Sequence, residues 1–294
     1  MTINADVRNR KAIDWERTGR GVRRSVGRGI VYAIAILTAI IVLFPMVWII
    51  FTAFKSLPET YVWPPTWLPT QWRFDNFAKL FTAVPFTRYF LNSVLVSLPI
   101  CILNLFFCSL AGYVFAKFQF PGKNILFVVV LATIMIPFQV TMIPAFRILK
   151  FLGWNNTYLG LIAPGMVGAF GIFLMRQFMM SIPTELIEAA RMDGASEARI
   201  YAQIIVPSSK PVFAALAIFT FLESWNNFLW PLIVIDTPKM RTLPLGLALL
   251  KTQYISQWPL IMAATLLTSL PVIIVYIIFQ RQFIRGILLS GIKA

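Results

Sequence analysis

The residues best suited to chemistry lie inside an apolar stretch in the last third of the chain. Segment 219–228 reads FTFLESWNNF, which places Glu223 and the pair Asn226 and Asn227 among aromatic and aliphatic residues. A carboxylate at the centre of a bilayer costs about 2.5–3.5 kcal/mol on insertion scales, so Glu223 should face other helices or a water-filled cavity. The indole face of Trp225 is suited to stacking on a sugar ring, and the Asn amides can donate to and accept from hydroxyl groups.

Two interpretations of this group of residues remain open. In the first, Glu223, Trp225, Asn226 and Asn227 lie on a translocation path and contact a solute directly. In the second, they pack against neighbouring helices or gate the path, through hydrogen bonds between helices that are commonly worth about 0.6–2 kcal/mol. The sequence favours packing or gating over direct contact.

The composition of the chain excludes several classes of function. Of 294 residues, 59% are hydrophobic and only 13% are charged, whereas soluble domains carry about 25% charged residues. The absence of His from the sequence excludes His-based metal sites and His-containing triads. The net charge of +15 does not indicate a nucleic-acid partner, because the charges lie between apolar runs and reflect membrane topology. Cys101 and Cys108 share one apolar run and are interpreted as small core residues.

Six apolar stretches are long enough to cross a hydrocarbon core, which takes about 20 residues. They are 30–54, 89–116, 125–146, 158–175, 212–235 and 260–279. The fourth is the weakest, because Pro164 interrupts it and several glycines thin it out. The predicted fold class is therefore an all-α polytopic membrane protein with six transmembrane helices, in which residues 1–29 form a basic leader and residues 30–294 form one transmembrane domain.

The distribution of Lys and Arg over the loops predicts the orientation. With the N-terminus in the cytoplasm, the cytoplasmic segments hold 17 of these residues and the outer segments hold 9, as the positive-inside rule requires. Both termini are predicted to be cytoplasmic, in a multi-pass protein. The leader is interpreted as a segment facing lipid headgroups, with an arm that binds a protein partner as the alternative.

The longest predicted cytoplasmic segment, 176–210, contains four of the eleven acidic residues of the chain. Pro183 and Thr184 begin a helical pattern, and Gly194 permits a break. Residues 195–206 then predict a second short helix that ends before Pro207. The pattern indicates a helix–Gly–helix hairpin on the membrane surface, and the alternative is a simple connector that covers the mouth of the bundle.

At this hairpin the sequence resembles the permease subunits of binding-protein-dependent ABC importers. Their loop carries Glu-Ala-Ala, a Gly four residues after the second Ala, and Ile-x-Leu-Pro ten residues beyond that Gly. In register here are Glu188, Ala189, Ala190, Gly194, Ile204 and Pro207, with Val206 in place of the usual Leu. Further resemblance, closest to the maltose-type six-span subunit, lies at Asn92-Ser93, Ala111, Tyr113, Ala116, the 120–123 turn, Pro137, Pro144, Trp225, Asn226, Phe228, Pro231 and the 280–293 tail.

The resemblance implies a coupling helix, about 184–196, that docks in a groove of a separate ATPase subunit in the bacterial inner membrane. The implied ATPase-coupling residues are Glu188, Ala189, Ala190, Asp193, Gly194, Ile204 and Pro207. The implied partners are a second permease subunit, two ATPase subunits that bind the ATP and Mg, and an extracytoplasmic solute-binding protein. Loops 56–87 and 236–258 are the candidate surfaces for that binding protein.

The transported solute implied by the resemblance is a sugar or a related polyol. This chain carries no G-x-x-x-x-G-K-[ST] motif to hold a nucleotide, so it is expected to be neither an enzyme nor a cofactor-binding protein. Two other functions stay open on the residues alone. A secondary transporter would use Glu223 as an ion or proton site, and a membrane scaffold without transport activity would leave the hairpin unexplained.

Overall fold

The computed structural model describes the backbone of residues 3–254 and 257–291, and the side chains of 28–252, 254 and 257–280. Every regular element in these ranges is helical. The elements are α1 (Ile3–Ala53), α2 (Asp75–Ala83), α3 (Phe86–Lys117), α4 (Lys123–Ile134), α5 (Phe138–Phe151), α6 (Tyr158–Ile162), α7 (Ala169–Met180), α8 (Thr184–Met192), α9 (Glu197–Ile200), α10 (Val206–Ser208), α11 (Lys210–Trp225), α12 (Leu229–Val234), α13 (Leu243–Gln253) and α14 (Trp258–Gly291).

Three of the predicted spans are single long apolar helices. These segments are Arg28–Ala53 of α1, Phe86–Lys117 (all of α3) and Trp258–Gln280 of α14. Proline inside these helices does not break them, as Pro99 in α3 and Pro271 in α14 show. In the leader, the backbone of α1 runs without interruption into the first span, and the side chains before Arg28 lie outside the described residues.

Three bent pairs of helices account for the third and fourth predicted spans and for the α11 part of the fifth, so the described residues contain three spans, or up to six if each pair is one span. The pairs are Lys123–Ile134 with Phe138–Phe151, bent by 101°; Tyr158–Gly165 with Ala169–Met180, bent by 41°; and Glu197–Ser208 with Lys210–Trp225, bent by 79°. The stretch 125–146, predicted as one span, is therefore two helices that meet at a sharp angle.

The break in the third stretch has a local cause and a tertiary one. Pro137 lacks an N–H and adopts an extended backbone with φ −59° and ψ 136°, so it cannot continue α4. Beyond it, Phe138 at the start of α5 packs edge-on against Trp230 of α12, with ring centroids 5.8 Å apart. The fifth stretch, 212–235, is also interrupted, because α11 ends at Trp225 and α12 begins only at Leu229.

Helix α3 is the centre of the bundle, and it packs closely on α7. A Cβ built at Gly112 of α3 would lie 2.6 Å from Met175 Cβ and 2.9 Å from the Arg176 backbone nitrogen. Such close approach of two helix backbones is typical of small residues in membrane helix pairs. The two ends of α3 contact different parts of the chain. Near its N-terminal end Asn92 bonds to the 239–241 segment, and near its C-terminal end Tyr113 bonds to Glu197.

Candidate functional site

The predicted hairpin is present, and its turn is built by backbone hydrogen bonds. Helix α8 begins directly after Pro183 and ends at Met192. The Gly194 N–H donates to the Arg191 carbonyl at 3.0 Å, and the Ala195 N–H donates to the Ala190 carbonyl at 2.9 Å. This is the Schellman arrangement, which needs a left-handed residue after the helix, and Gly194 has φ +77°. Gly194 therefore sets the shape of the turn, as the sequence predicts.

The second half of the hairpin differs from the prediction. The helix does not end before Pro207: α9 continues through a π-helical turn, Tyr201–Ile205, into α10, which ends at Ser208. Pro207 lies in the first turn of α10, directly after the π turn. The chain then bends by 79° into α11. Ile204, the other implied coupling residue of this half, lies in the π turn and is half-buried.

The hairpin has an apolar side that faces the bundle and an open side. Ile187 of α8 and Ile200 of α9 are buried in a cluster with Met175 and Met179 of α7. On the open side, Met192 has an exposed fraction of 89%. Of the implied coupling residues, those exposed to solvent are Glu188, Ala189, Asp193, Gly194 and Pro207, whereas Ala190 is half-buried. The structure thus leaves most of this set exposed to solvent.

Polar contacts that the sequence did not reveal attach the hairpin to the end of α3. The Tyr113 hydroxyl donates to Glu197 Oε2 at 2.9 Å, and Arg191 Nε donates to Glu197 Oε1 at 2.7 Å. The Lys117 ammonium donates to the Ile182 carbonyl just before α8. The only available signal was Tyr113 at the end of an apolar run and an acid in the hairpin. No feature of the sequence around either residue indicates that the two side chains pair across the intervening helices.

The four residues singled out in segment 219–228 lie in two different environments. Trp225 has an exposed fraction of 1%; its ring stacks on Phe221 at 5.5 Å, and its Nε1 donates to the Thr268 carbonyl of α14 at 3.1 Å. Asn227 Oδ1 accepts from the Trp230 N–H at 3.2 Å. These contacts agree with the packing interpretation and leave the indole face covered.

Glu223 and Asn226 lie on the exposed face of α11. Together with Phe219 they follow the three- and four-residue spacing of one helical face. Glu223 is expected to face other helices or a water-filled cavity; within this chain it is exposed, and a water-filled cavity beside it stays a prediction. Contact of Glu223 or Asn226 with a solute stays a prediction.

At the other end of α3, buried amides hold the segment 236–243 in place. Asn92 Nδ2 donates to the Lys239 and Arg241 carbonyls at 2.9 and 2.8 Å, and Asn92 Oδ1 accepts from the Tyr158 hydroxyl at 2.7 Å. Asn156, at φ +55°, accepts through Oδ1 from the N–H groups of residues 236 and 237, both at 3.2 Å. The segment is thus a fixed loop on the bundle.

Replacing Asn92 with alanine is expected to release this loop. Asn92 is fully buried, so its loss leaves two carbonyls and the Tyr158 hydroxyl unpaired, at about 1–3 kcal/mol for each group that water does not reach. Limited proteolysis in membranes should cut segment 236–243 at least about tenfold faster in the variant. Asn155→Ala, which removes one exposed contact to Asp236, is the matched control and should leave the rate near wild type. An unchanged rate in Asn92→Ala would show that the loop is held elsewhere.

A second structured segment at this end follows α1. Asn76 Nδ2 donates to the carbonyls of Ala53 and Lys55, both at 2.9 Å. Lys55 is buried beside a cavity of about 290 Å³ walled by Trp48 and Trp258. Its ammonium donates to the Thr66 carbonyl, and burial lowers its pKa from the ordinary value. Segment 54–76 is therefore shaped by internal hydrogen bonds, as the 236–243 loop is.

Long apolar helices, bent helix pairs and a hairpin at one end of the bundle define a multi-pass membrane protein with a surface free for a partner. The chain belongs to the family of binding-protein-dependent transport system inner membrane components, whose sequence profile matches residues 108–288. It is thus a permease of the ABC-importer type, an inner-membrane multi-pass protein from a family of subunits that are not themselves enzymes. The family resemblance inferred from the hairpin is confirmed.

Relatives match over nearly their whole length. The chain is 39% identical over 262 residues to the arabinooligosaccharides transport system permease protein AraQ of Halalkalibacterium halodurans, covering 87% of this chain and 92% of the relative. It is 34% identical to the lactose transport system permease protein LacG of Rhizobium radiobacter (91% and 97% covered). It is 33% identical to the sn-glycerol-3-phosphate transport system permease protein UgpE of Escherichia coli O1:K1 (87% and 94%).

Solved structures share the fold. One is the crystal structure of a bacterial ABC transporter involved in the import of the acidic polysaccharide alginate. It matches with a TM-score of 0.77 at 24% identity, over 86% of this chain and 95% of the other. A second structure of an alginate ABC transporter, in complex with an alginate pentasaccharide-bound periplasmic protein, matches with a TM-score of 0.63 at 17% identity, over 87% and 94%.

Proposed function

We propose that this chain is the permease subunit of an ATP-driven, binding-protein-dependent importer for a sugar or a related polyol. The observation that carries the proposal is the agreement among its relatives. Permeases that are 33–39% identical and match over at least 92% of their length belong to transport systems named for arabinooligosaccharides, lactose or sn-glycerol-3-phosphate. Those solutes differ in size and charge but share a polyhydroxylated carbon skeleton, which gives the solute class.

The hairpin is the element that would dock on the ATPase. Its open side presents Glu188 and Asp193 around a turn whose backbone is fixed by Gly194. Glu188 would make a charge-assisted hydrogen bond to a basic residue of the ATPase, which is stronger than a bond between neutral groups. The ATPase pair binds the ATP and Mg and closes on them, and the docked hairpin carries that motion into the spans, which alternate between inward and outward access.

The proposed topology has six spans: the three long helices, the bent pairs α4–α5 and α6–α7, and α11 with α12. Both termini and the hairpin lie in the cytoplasm. The 54–76 and 236–243 segments, at the other end of α3, then lie outside. Both are shaped by internal hydrogen bonds, which suits a surface that receives a solute-binding protein. The open face of α11 with Glu223 and Asn226 would face a second, related permease, and the solute path lies between the two.

The test is the recovery of partner subunits with Glu188→Lys. Tagged wild-type chain, extracted from native membranes in mild detergent, is expected to bring down an ATPase subunit. The substitution reverses the charge at the docking contact, and loss of a buried charged pair costs about 2–5 kcal/mol, so recovery should fall at least about tenfold. The matched control is Asp75→Lys, an equal charge reversal on an exposed residue of α2, which should leave recovery unchanged.

Two outcomes would contradict the proposal. If Glu188→Lys recovers as much ATPase as the wild-type chain does, the hairpin does not have the docking role. A wild-type chain that comes out alone, and that transports in response to an ion gradient after reconstitution, would instead favour a secondary transporter with Glu223 as the ion or proton site.

A further inference from the structure

A small polar cluster joins the two helices of the hairpin to α3. Glu197, the first residue of α9, accepts from Tyr113 of α3 at 2.9 Å and from Arg191 of α8 at 2.7 Å. The Arg191 guanidinium also lies over the ring of Phe118, 5.8 Å from its centroid, directly after α3. One carboxylate therefore connects three elements: both arms of the hairpin and the end of the central span.

A second contact of the same kind lies one turn further along both helices. The Ser109 hydroxyl of α3 and the Tyr201 hydroxyl are 2.5 Å apart, and the rings of Tyr113 and Tyr201 are in contact, with centroids 5.7 Å apart. Beneath these groups, buried Ile187 and Ile200 pack into a cluster with residues of α3 and α7, which also takes in Val212 and Leu216 at the start of α11. The hairpin is thus held on the α3 side by matched apolar and polar contacts.

The connection from the hairpin to α11 is of a different kind. It passes through the π-helical turn Tyr201–Ile205, where the Val206 N–H reaches back to the Tyr201 carbonyl, and then through the 79° bend at Ser209. Within the described part of the chain the buried Ser209 hydroxyl has no hydrogen-bond partner. Single π turns are common at functional sites. The sharp bend lies between Pro207 and Pro211, whose missing N–H groups interrupt the helical hydrogen bonds there.

We propose that Glu197, through Tyr113 and Arg191, is a positioning residue that fixes the hairpin to α3, and that the Ser209 bend acts as a hinge towards α11. The motion that the ATPase imposes on the hairpin is then delivered to α3 and α7 as one rigid unit, and α11 changes its angle to that unit. The inference rests on the proposed function, because it assigns the spans that receive the motion of the docked hairpin.

The cluster is expected to contribute little to folding, which separates a positioning role from a structural one. The side chains of Glu197 and Arg191 are 44% and 41% exposed, and ion pairs at such positions contribute about 0–1 kcal/mol. Glu197→Gln keeps the shape of the side chain, and Tyr113→Phe removes only a hydroxyl. Both variants are therefore expected to insert, to assemble and to bring down the ATPase as the wild-type chain does.

The test measures distances in the complete transporter, with ATP and vanadate as the trapping probe. Cys101 and Cys108 are replaced by alanine, and spin labels are attached at exposed positions Met192 of α8 and Ile102 of α3, or Met192 and Phe219 of α11. In the wild type, trapping should leave the 192–102 distance fixed and change the 192–219 distance by about 2 Å or more, the usual scale of helix shifts. In Glu197→Gln and in Tyr113→Phe, the 192–102 distance should change as well.

The matched control is Arg199→Gln, which removes a positive charge from α9. The Arg199 side chain donates to Gln203 further along the same segment, so this variant should behave as the wild type. The double variant Tyr113→Phe/Glu197→Gln should equal the larger single effect, since both remove the same contact. The inference is overturned if the wild-type 192–219 distance stays fixed or if neither variant alters the 192–102 distance. If the ATPase is still recovered normally in that case, only this inference is wrong and the proposed function stands. If the wild-type chain recovers no ATPase, both the inference and the proposed function are wrong.

Discussion

Replacing Gly112 with valine is expected to remove most of the folded subunit from the membrane. A Cβ at this position would lie 2.6 Å from Met175 Cβ and 2.9 Å from the Arg176 backbone nitrogen. The second contact is with backbone, so α7 itself must move away from α3. Overpacking commonly costs about 1–3 kcal/mol and sometimes more, and contact with backbone places this case at or above the upper end. The measurement is the amount of monodisperse subunit recovered in mild detergent, with its thermal midpoint.

The matched control is Gly29→Val in α1. A Cβ at Gly29 meets none of the described atoms within 4 Å, so the same substitution there tests the effect of valine in a helix without the clash. Recovery near wild type for Gly29→Val together with loss for Gly112→Val would establish the close α3–α7 contact. Equal recovery of both variants would mean that α3 and α7 do not approach as closely as described.

Replacing Trp225 with alanine is the second large change, expected to destabilise the subunit by about 3–5 kcal/mol, the usual cost of truncating a buried aromatic residue. The indole is almost fully buried, stacks on Phe221 and meets Phe90 edge-on at 5.7 Å. Its removal leaves a cavity between α11 and α14. The expected result is a lower thermal midpoint in detergent and a lower steady-state amount in membranes.

Two further variants decide between packing and solute contact at Trp225. Trp225→Phe keeps an aromatic ring and loses the hydrogen bond to the Thr268 carbonyl, a change of about 1 kcal/mol. Trp63→Ala, at a position that is 88% exposed, should leave stability unchanged. If Trp225→Ala instead assembles with a wild-type thermal midpoint but with altered uptake affinity, the residue contacts the solute and the packing role is wrong.

The parts of the fold that could be predicted are those in which the local sequence pattern alone explains why the structure is stable. An apolar run longer than a bilayer is thick has to be a helix, since unpaired backbone groups in lipid cost several kcal/mol each. This argument holds for 30–54, 89–116 and 260–279, which are single helices. It also holds for the turn at Gly194, where a left-handed residue ends α8.

Which of the prolines inside the spans bend the chain could not be predicted, because the same residue type has different effects in different surroundings. Pro99 and Pro271 lie inside continuous helices, whereas Pro137 stands at a 101° bend. The aromatic contact between Phe138 and Trp230 contributes to that bend, and it joins residues far apart in the chain. For the same reason the sequence revealed Tyr113 and Glu197 separately but not the hydrogen bond between them.

The interior of the candidate path was predicted only in part. The composition of segment 219–228 predicts a functional region at the end of α11, but it does not say which side of the helix is covered. The structure places Trp225 inward against α14 and leaves Glu223 and Asn226 exposed. Because a polar residue in an apolar run is costly whichever way it points, sequence reasoning assigned all four residues to one site.

Gly194, at the tip of the hairpin, has a left-handed backbone conformation, so the shape of the tip does not depend on the exposed residues beside it. The shape of the tip depends on Gly194 and on backbone hydrogen bonds, with Ile187 and Ile200 beneath it, and a side chain at the glycine would touch none of the described atoms. The exposed residues beside it are free to change without disturbing that shape. The partner specificity proposed for the hairpin can therefore change one surface residue at a time during evolution, while the backbone of the tip is kept.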